Sequence, residues 1–142
     1  MADEAIYLVD MLLPRSAYRQ WTLTFPWPIR FMMAKDYRLI TAILTIAIRI
    51  LFAYQRKMAR RAGYRDAKPA AVTFIHRAGR VLNSHVHSHV LLPDGVFVPD
   101  ENDTLRLVRL PAPTDADVVG LAKKLAARVS AFCEKRYLGV DE

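Results

Sequence analysis

Residues 71–97 read AVTFIHRAGRVLNSHVHSHVLLPDGVF, and all four histidines of the chain lie inside this stretch. Read as a strand, residues 86–92 alternate faces at about 3.3 Å per residue, so His85, His87 and His89 project from one face at roughly 6 to 7 Å intervals. Two such imidazoles can share one metal ion. Residues 71–77 are also strand-like, being β-branched and aromatic, and their parity places Val72, Phe74 and His76 on a common face. Residues 77–84, with Gly79 and Asn83, read as the connection back. Paired strands lie about 4.8 Å apart, so His76 can face the His87 and His89 pair as a third ligand. The stretch offers a three-nitrogen facial site. Alternating histidines also occur as a hydrogen-bonded polar strand face, and that plainer reading stands beside the metal site.

Charge points in one direction. The net charge is +7, and residues 15–80 hold 14 Lys or Arg against only Asp36 and Asp66. A basic half of this kind suits a polyanion, because neutralised phosphates release counterions whatever the base sequence. The candidate DNA contacts are Arg49, Arg56, Lys57, Arg60, Arg61, Arg77 and Arg80. At 142 residues, with 53% hydrophobic and 25% charged residues, the chain is about one domain long and able to bury a core. The single Cys133 excludes an internal disulfide and a cysteine-based zinc ribbon, which fits a reducing cytoplasm. Asp3, Glu4 and Asp10 stand where a signal peptide would be positive. Residues 39–48, the longest charge-free apolar run of the central helix, fall short of the roughly 20 residues that span a bilayer. A cytoplasmic protein without a membrane segment is expected.

Along the chain, residues 5–12 suggest one or two helical turns ended by Pro14. Residues 20–25 alternate as a half-buried strand, with Trp21, Leu23 and Phe25 on one face and Gln20, Thr22 and Thr24 on the other. A short helix over 29–34 follows, with Pro28 suited to its first turn. Asp36 is the expected N-cap of a long helix over 37–61, whose core stripe runs through Ile40, Ile43, Ala47, Ile50, Tyr54 and Met58. Basic residues at its end also complement the helix dipole, a reading that competes with DNA contact. Gly63 is the expected stop. After the histidine strand come a turn at 93–95, short extended segments at 96–98 and 105–110, and a helix opened by Thr114 and Asp117 as a capping-box-like pair. Its expected buried stripe is Val118, Leu121, Leu125, Val129 and Phe132, and it reaches about residue 136. Short connections between successive strands make one antiparallel sheet with helices on one face the economical arrangement, an α+β fold.

Three segments carry a resemblance: residues 19–36 (RQWTLTFPWPIRFMMAKD), residues 71–97, and residues 113–129 (PTDADVVGLAKKLAARV). Together they resemble the two-tyrosine HUH transposases of rolling-circle insertion sequences, across nearly the whole chain. A histidine, ten intervening residues, then His-x-His is also similar to the three-histidine site of conjugative relaxases. The resemblance places the metal ligands at His76, His87 and His89, with the histidine pair on a central strand of the sheet. The chain departs from the usual pattern at Ser88, commonly hydrophobic, and at His76, commonly Gln. Ser88 leaves His85-Val86-His87 as a rival register, with His85 the alternative ligand. The distance to Asp94-Gly95-Val96-Phe97 and the spacing from His76 favour His87 and His89.

The resemblance implies Mg²⁺ or Mn²⁺ as cofactor, single-stranded or hairpin DNA as partner, and a bacterial cytoplasm. It also implies DNA transposition through a covalent phosphotyrosine. No paired tyrosines occur in the position expected for that nucleophile: Tyr7, Tyr18, Tyr37, Tyr54, Tyr64 and Tyr137 are scattered. Nor is the family's cysteine-rich zinc domain present. The 142 residues therefore read as one HUH core, a fragment without those flanking modules. Two functions follow as expectations: a metal-dependent core that binds and nicks single-stranded DNA, or an inactive DNA-binding remnant of such a transposase. A histidine-rich metal protein unrelated to DNA is a weaker third.

Overall fold

The chain order is β1 (Tyr18–Leu23), α1 (Trp27–Lys35), α2 (Tyr37–Arg61), β2 (Val72–Ala78), β3 (His85–Pro93), β4 (Gly95–Pro99), β5 (Leu105–Arg109) and α3 (Asp115–Leu138). This is a computed structural model, and it describes residues 15–78 and 85–138. The helical turns expected over 5–12 and most of the connection expected over 77–84 lie outside those residues.

β3 is the middle strand of a three-stranded antiparallel sheet, ordered β1-β3-β2. Its alternation has a plain energetic basis. Val86, Val90 and Leu92 are at most 1% exposed and meet Leu23 and Phe25 from the β1 side in one core with α2. The intervening His87, His89 and Leu91 emerge on the other face, half-buried. Helices α1, α2 and α3 all contribute to that one core, so the α+β expectation with helices on one face holds.

α2 is held by packing. Leu39, Ile40, Ile43, Leu44, Ile50 and Leu51 are all buried. Each fully buried aliphatic side chain is worth about 1.5–3 kcal/mol, against a few tenths per residue for propensity. Its ends are closed as the residues demand. The Asp36 carboxylate accepts from the Arg38 N–H at 2.9 Å. At the other end Gly63, with φ +93°, permits the Tyr64 N–H to reach the Ala59 carbonyl and its own N–H to reach Arg60, a Schellman closure. By length and composition alone α2 could cross a membrane. Its apolar stripe instead lies against the sheet, and its outer face carries exposed Arg38, Thr41, Thr45 and Arg49.

Three expectations need correction. β1 runs from Tyr18 to Leu23 rather than over 20–25, although Leu23 and Phe25 are buried as the alternation required. β4 and β5 form a separate two-stranded sheet instead of extending the first one. The break falls at Asp94: its N–H is taken by the Ala17 carbonyl, and its carboxylate is held by Arg19 at 3.1 Å. Gly95 then runs so close to β5 that a Cβ there would strike the Val108 carbonyl. Finally, Val118 is 44% exposed although it heads the predicted stripe of α3. It borders an apolar groove of about 320 Å³ between β1, α2 and α3, so only the later part of the stripe, through Val129, closes onto the core.

Thr114 and Asp117 do form the reciprocal cap of α3: Asp117 N–H donates to the Thr114 hydroxyl at 3.1 Å, and Thr114 N–H to the Asp117 carboxylate at 2.9 Å. The same carboxylate accepts from the Tyr54 hydroxyl at 3.1 Å, tying α3 to α2.

Candidate metal centre

The register of β2 and β3 sets His76 directly opposite His87, and Phe74 opposite His89. Because opposed residues of an antiparallel pair share a face, His76, His87 and His89 converge on the sheet face away from the helices. Their ring centroids form a triangle with sides of 5.3 Å (His76–His87), 5.0 Å (His76–His89) and 5.1 Å (His87–His89). Strand parity thus assembles three imidazoles that are separated in sequence by up to thirteen positions. The rival residue His85 pairs through its backbone with Ala78, and its side chain lies outside the described residues.

β1 supplies what the strand pattern alone did not reveal. Thr22 lies opposite His89 and Gln20 opposite Leu91, on the histidine face. The His89 Nδ1 is 2.9 Å from the Gln20 amide nitrogen and 3.2 Å from the Thr22 hydroxyl. If Nδ1 carries the proton and donates to Thr22, or to Gln20 with its amide turned, Nε2 keeps its lone pair for a ligand. An outer partner of this kind fixes the tautomer and the ring orientation of a metal-binding histidine. The polar alternation of Gln20, Thr22 and Thr24 was the available signal, but the β1–β3 pairing was needed to aim it.

The donor set fits a borderline divalent ion. Three imidazoles suit manganese, cobalt, nickel or zinc and leave coordination positions open. Among the described residues, however, no group of His, Cys, Asp or Glu is arranged as a ready ligand set. The geometry gives the reason. A metal lies in the plane of each imidazole that binds it, whereas His76 and His87 are nearly parallel at 10° and both stand across His89 at 83° and 88°. One ring must turn for all three lone pairs to meet. His76, the exposed member on an edge strand, has room to do so. The acid of the stretch, Asp94, sits beyond the far end of β3 and is engaged by Arg19 and Arg109.

The predicted DNA contacts are not gathered here. Arg49, Arg56, Lys57, Arg60 and Arg61 are exposed on α2, on the other side of the sheet. Arg77 pairs with Val86, so it leaves β2 on the helix side, opposite to its neighbour His76. Arg80 lies outside the described residues. The basic surface and the histidine triangle, which coincide in sequence, occupy opposite faces. The reason is that α2 must turn its apolar stripe to the sheet and its charges to solvent.

Nor do the described tyrosines cluster at the triangle. Tyr18 shares the histidine face but lies opposite Pro93, four residues along β3 from His89, or about 13 Å at strand rise. Burial pushes its phenol above the usual range. Burial and the bond to Asp117 push Tyr54 up to about 12. Tyr137 is raised by burial and by the Asp36 carboxylate, to which its hydroxyl donates at 3.3 Å. Tyr37 is exposed on α2, and Tyr64 packs on the second small core with Val96 and Val98. Tyr7 lies outside the described residues.

Residues 70–138, from the approach to β2 to the end of α3, match the model of a family described as "Putative transposase". The match takes in all three histidines of the triangle and the capped helix that follows. No curated protein and no solved structure matches the chain.

Proposed function

We propose that this chain is the metal-dependent, single-strand DNA binding and nicking core of an HUH transposase of the rolling-circle, two-tyrosine type. The observation that carries the reading is the coincidence of two facts: the similarity to a transposase family over residues 70–138, and the imidazole triangle that those residues build. His76, His87 and His89 would hold a divalent ion, with Mn²⁺ or Mg²⁺ the candidates by resemblance. When bound, such an ion polarises a phosphodiester and neutralises charge that develops as the P–O bond breaks. The chain's own contribution is orientation. β3 carries two ligands on a strand whose other face is buried in the core, and Gln20 and Thr22 hold the His89 ring. DNA is the proposed partner, and a cytoplasmic location goes with it.

A second reading, an inactive DNA-binding remnant, draws on a specific observation. Among the described tyrosines, Tyr18 alone lies on the histidine face, at about 13 Å along the strand. Covalent strand transfer needs a hydroxyl positioned near 3 Å from phosphorus.

Calorimetry with Mn²⁺ or Co²⁺ tests the site, with wild type expected to bind saturably and His87→Ala not. Equal binding in both would remove the metal centre. A labelled single-stranded oligonucleotide incubated with Mn²⁺ and resolved on a denaturing gel separates the two readings. Nicking lost in His87→Ala supports the first, and intact DNA with retained binding supports the second.

A further inference from the structure

We propose that the outer face of α1 is a stacking platform for single-stranded DNA, formed by Trp27, Phe31 and Lys35. The proposal rests on the DNA reading above and adds a surface to it. α1 packs inward through Ile29, Met32, Met33 and Ala34, and Met33 is fully buried. The opposite face is not needed for that packing, yet it carries the largest side chains of the helix. Trp27 is 58% exposed, and its indole stacks on Phe31 with centroids 5.2 Å apart and planes 19° from parallel. The Lys35 ammonium lies 4.2 Å from the Phe31 ring centroid. Positions four apart on a helix share a face, so the three form a ladder about 12 Å long, with an open indole at one end and a cation at the other.

This is the chemistry of sequence-tolerant single-strand binding, in which bases stack on aromatic faces and a cation takes the neighbouring phosphate. Charge argues for the same occupant. On and just after α1, Arg30, Lys35 and Arg38 stand against one acid, Asp36. That acid is engaged by Arg136 at 3.1 Å, by Tyr137 and by the Arg38 N–H, so the surface beside the ladder is cationic. Tyr37, 65% exposed with the Arg38 guanidinium 5.9 Å from its ring, extends the aromatic and cationic character to the start of α2. α1 follows β1 directly, starting four residues after Leu23, which pairs with Ser88 of the histidine strand.

The test is fluorescence anisotropy with labelled oligo(dT) and with an abasic strand of the same length. Trp27→Ala and Phe31→Ala should each weaken oligo(dT) binding by about tenfold, with Trp27→Phe retaining part of the affinity. Binding of the abasic strand should not change, and oligo(dT) should quench indole emission in wild type more than in Trp27→Phe. Lys35→Gln should lower the log–log salt slope by about 0.7. If Trp27→Ala binds oligo(dT) as tightly as wild type, the platform is overturned and the nicking core reading stands. If wild type binds neither strand, both fail. Equal loss of both strands in Trp27→Ala, with the unfolding midpoint unchanged, would also overturn stacking, since the indole would then act on the backbone and not on the bases.

Discussion

On β3, Val86, Ser88, Val90 and Leu92 are at most 1% exposed, while the alternate residues His87, His89 and Leu91 are half-buried on the opposite face. One strand therefore carries two unrelated duties. The inward set holds the sheet to the helices, and the outward set carries two of the proposed metal ligands. Because every second residue is anchored in a packed core, the histidines between them are placed as accurately as the core itself. The arrangement lets the outward face change with little cost to the fold.

The largest expected contrast comes from exchanging the two faces as targets. Leu92→Ala should cost about 2–5 kcal/mol in urea unfolding, because it leaves a cavity at a fully buried position. His87→Ala, five residues earlier on the other face, should change stability by no more than about 1 kcal/mol. Comparable losses in both would mean that the histidine face, too, is structural.

Next in size is the effect of β1 on the proposed metal. Gln20→Ala should weaken Co²⁺ binding by about 10- to 100-fold, the usual cost of losing an outer partner of a ligating histidine. Unfolding should barely respond, since Gln20 is exposed. Unchanged Co²⁺ affinity would show that the His89 ring is oriented without this contact.

Ser88 sharpens the comparison from the inner face. It is 0% exposed, and its hydroxyl has no hydrogen-bond partner among the described residues. A buried hydroxyl left unsatisfied costs about 1–3 kcal/mol, so Ser88→Ala should raise stability by about 1 kcal/mol. A loss of that size in thermal or urea unfolding would instead reveal a partner for the hydroxyl.

The smallest effect concerns pH and the helix layer. Asp117 sits below the usual carboxylate range because the Thr114 N–H and hydroxyl bond to it, with Tyr54 adding to this. A depressed folded value means that its contribution is present above the unfolded aspartate value, about 3.9, and is lost as pH falls through the folded one. Unfolding midpoints should therefore drop below about pH 4, and less so in Asp117→Asn. An identical acid dependence in that variant would remove Asp117 from the account.

Local chemistry made much of this legible. The Asp36 cap, the α2 span, the Gly63 stop and the Thr114–Asp117 box are decided within a few residues, where side-chain reach and backbone conformation leave few options. The alternation of β3 likewise set which of its residues could face together, and that of residues 71–77 put His76 on a face with Val72 and Phe74.

What the amino-acid sequence determined by itself, then, is period and cap: helix stripes, strand parity, and the set of histidines able to meet. Only the tertiary structure decided which strands lie side by side, because pairing joins residues such as Thr22 and His89 that are 67 positions apart and bear no mark of each other. It alone placed Gln20 beside His89, split β4 and β5 into their own sheet at the Asp94 break, and left Val118 at an open groove. It also separated the basic helix from the histidines. The helix and His76 share the basic half of the chain, but a helix that buries one side against a sheet must send its charges to the far side, and linear charge counts contain no such direction.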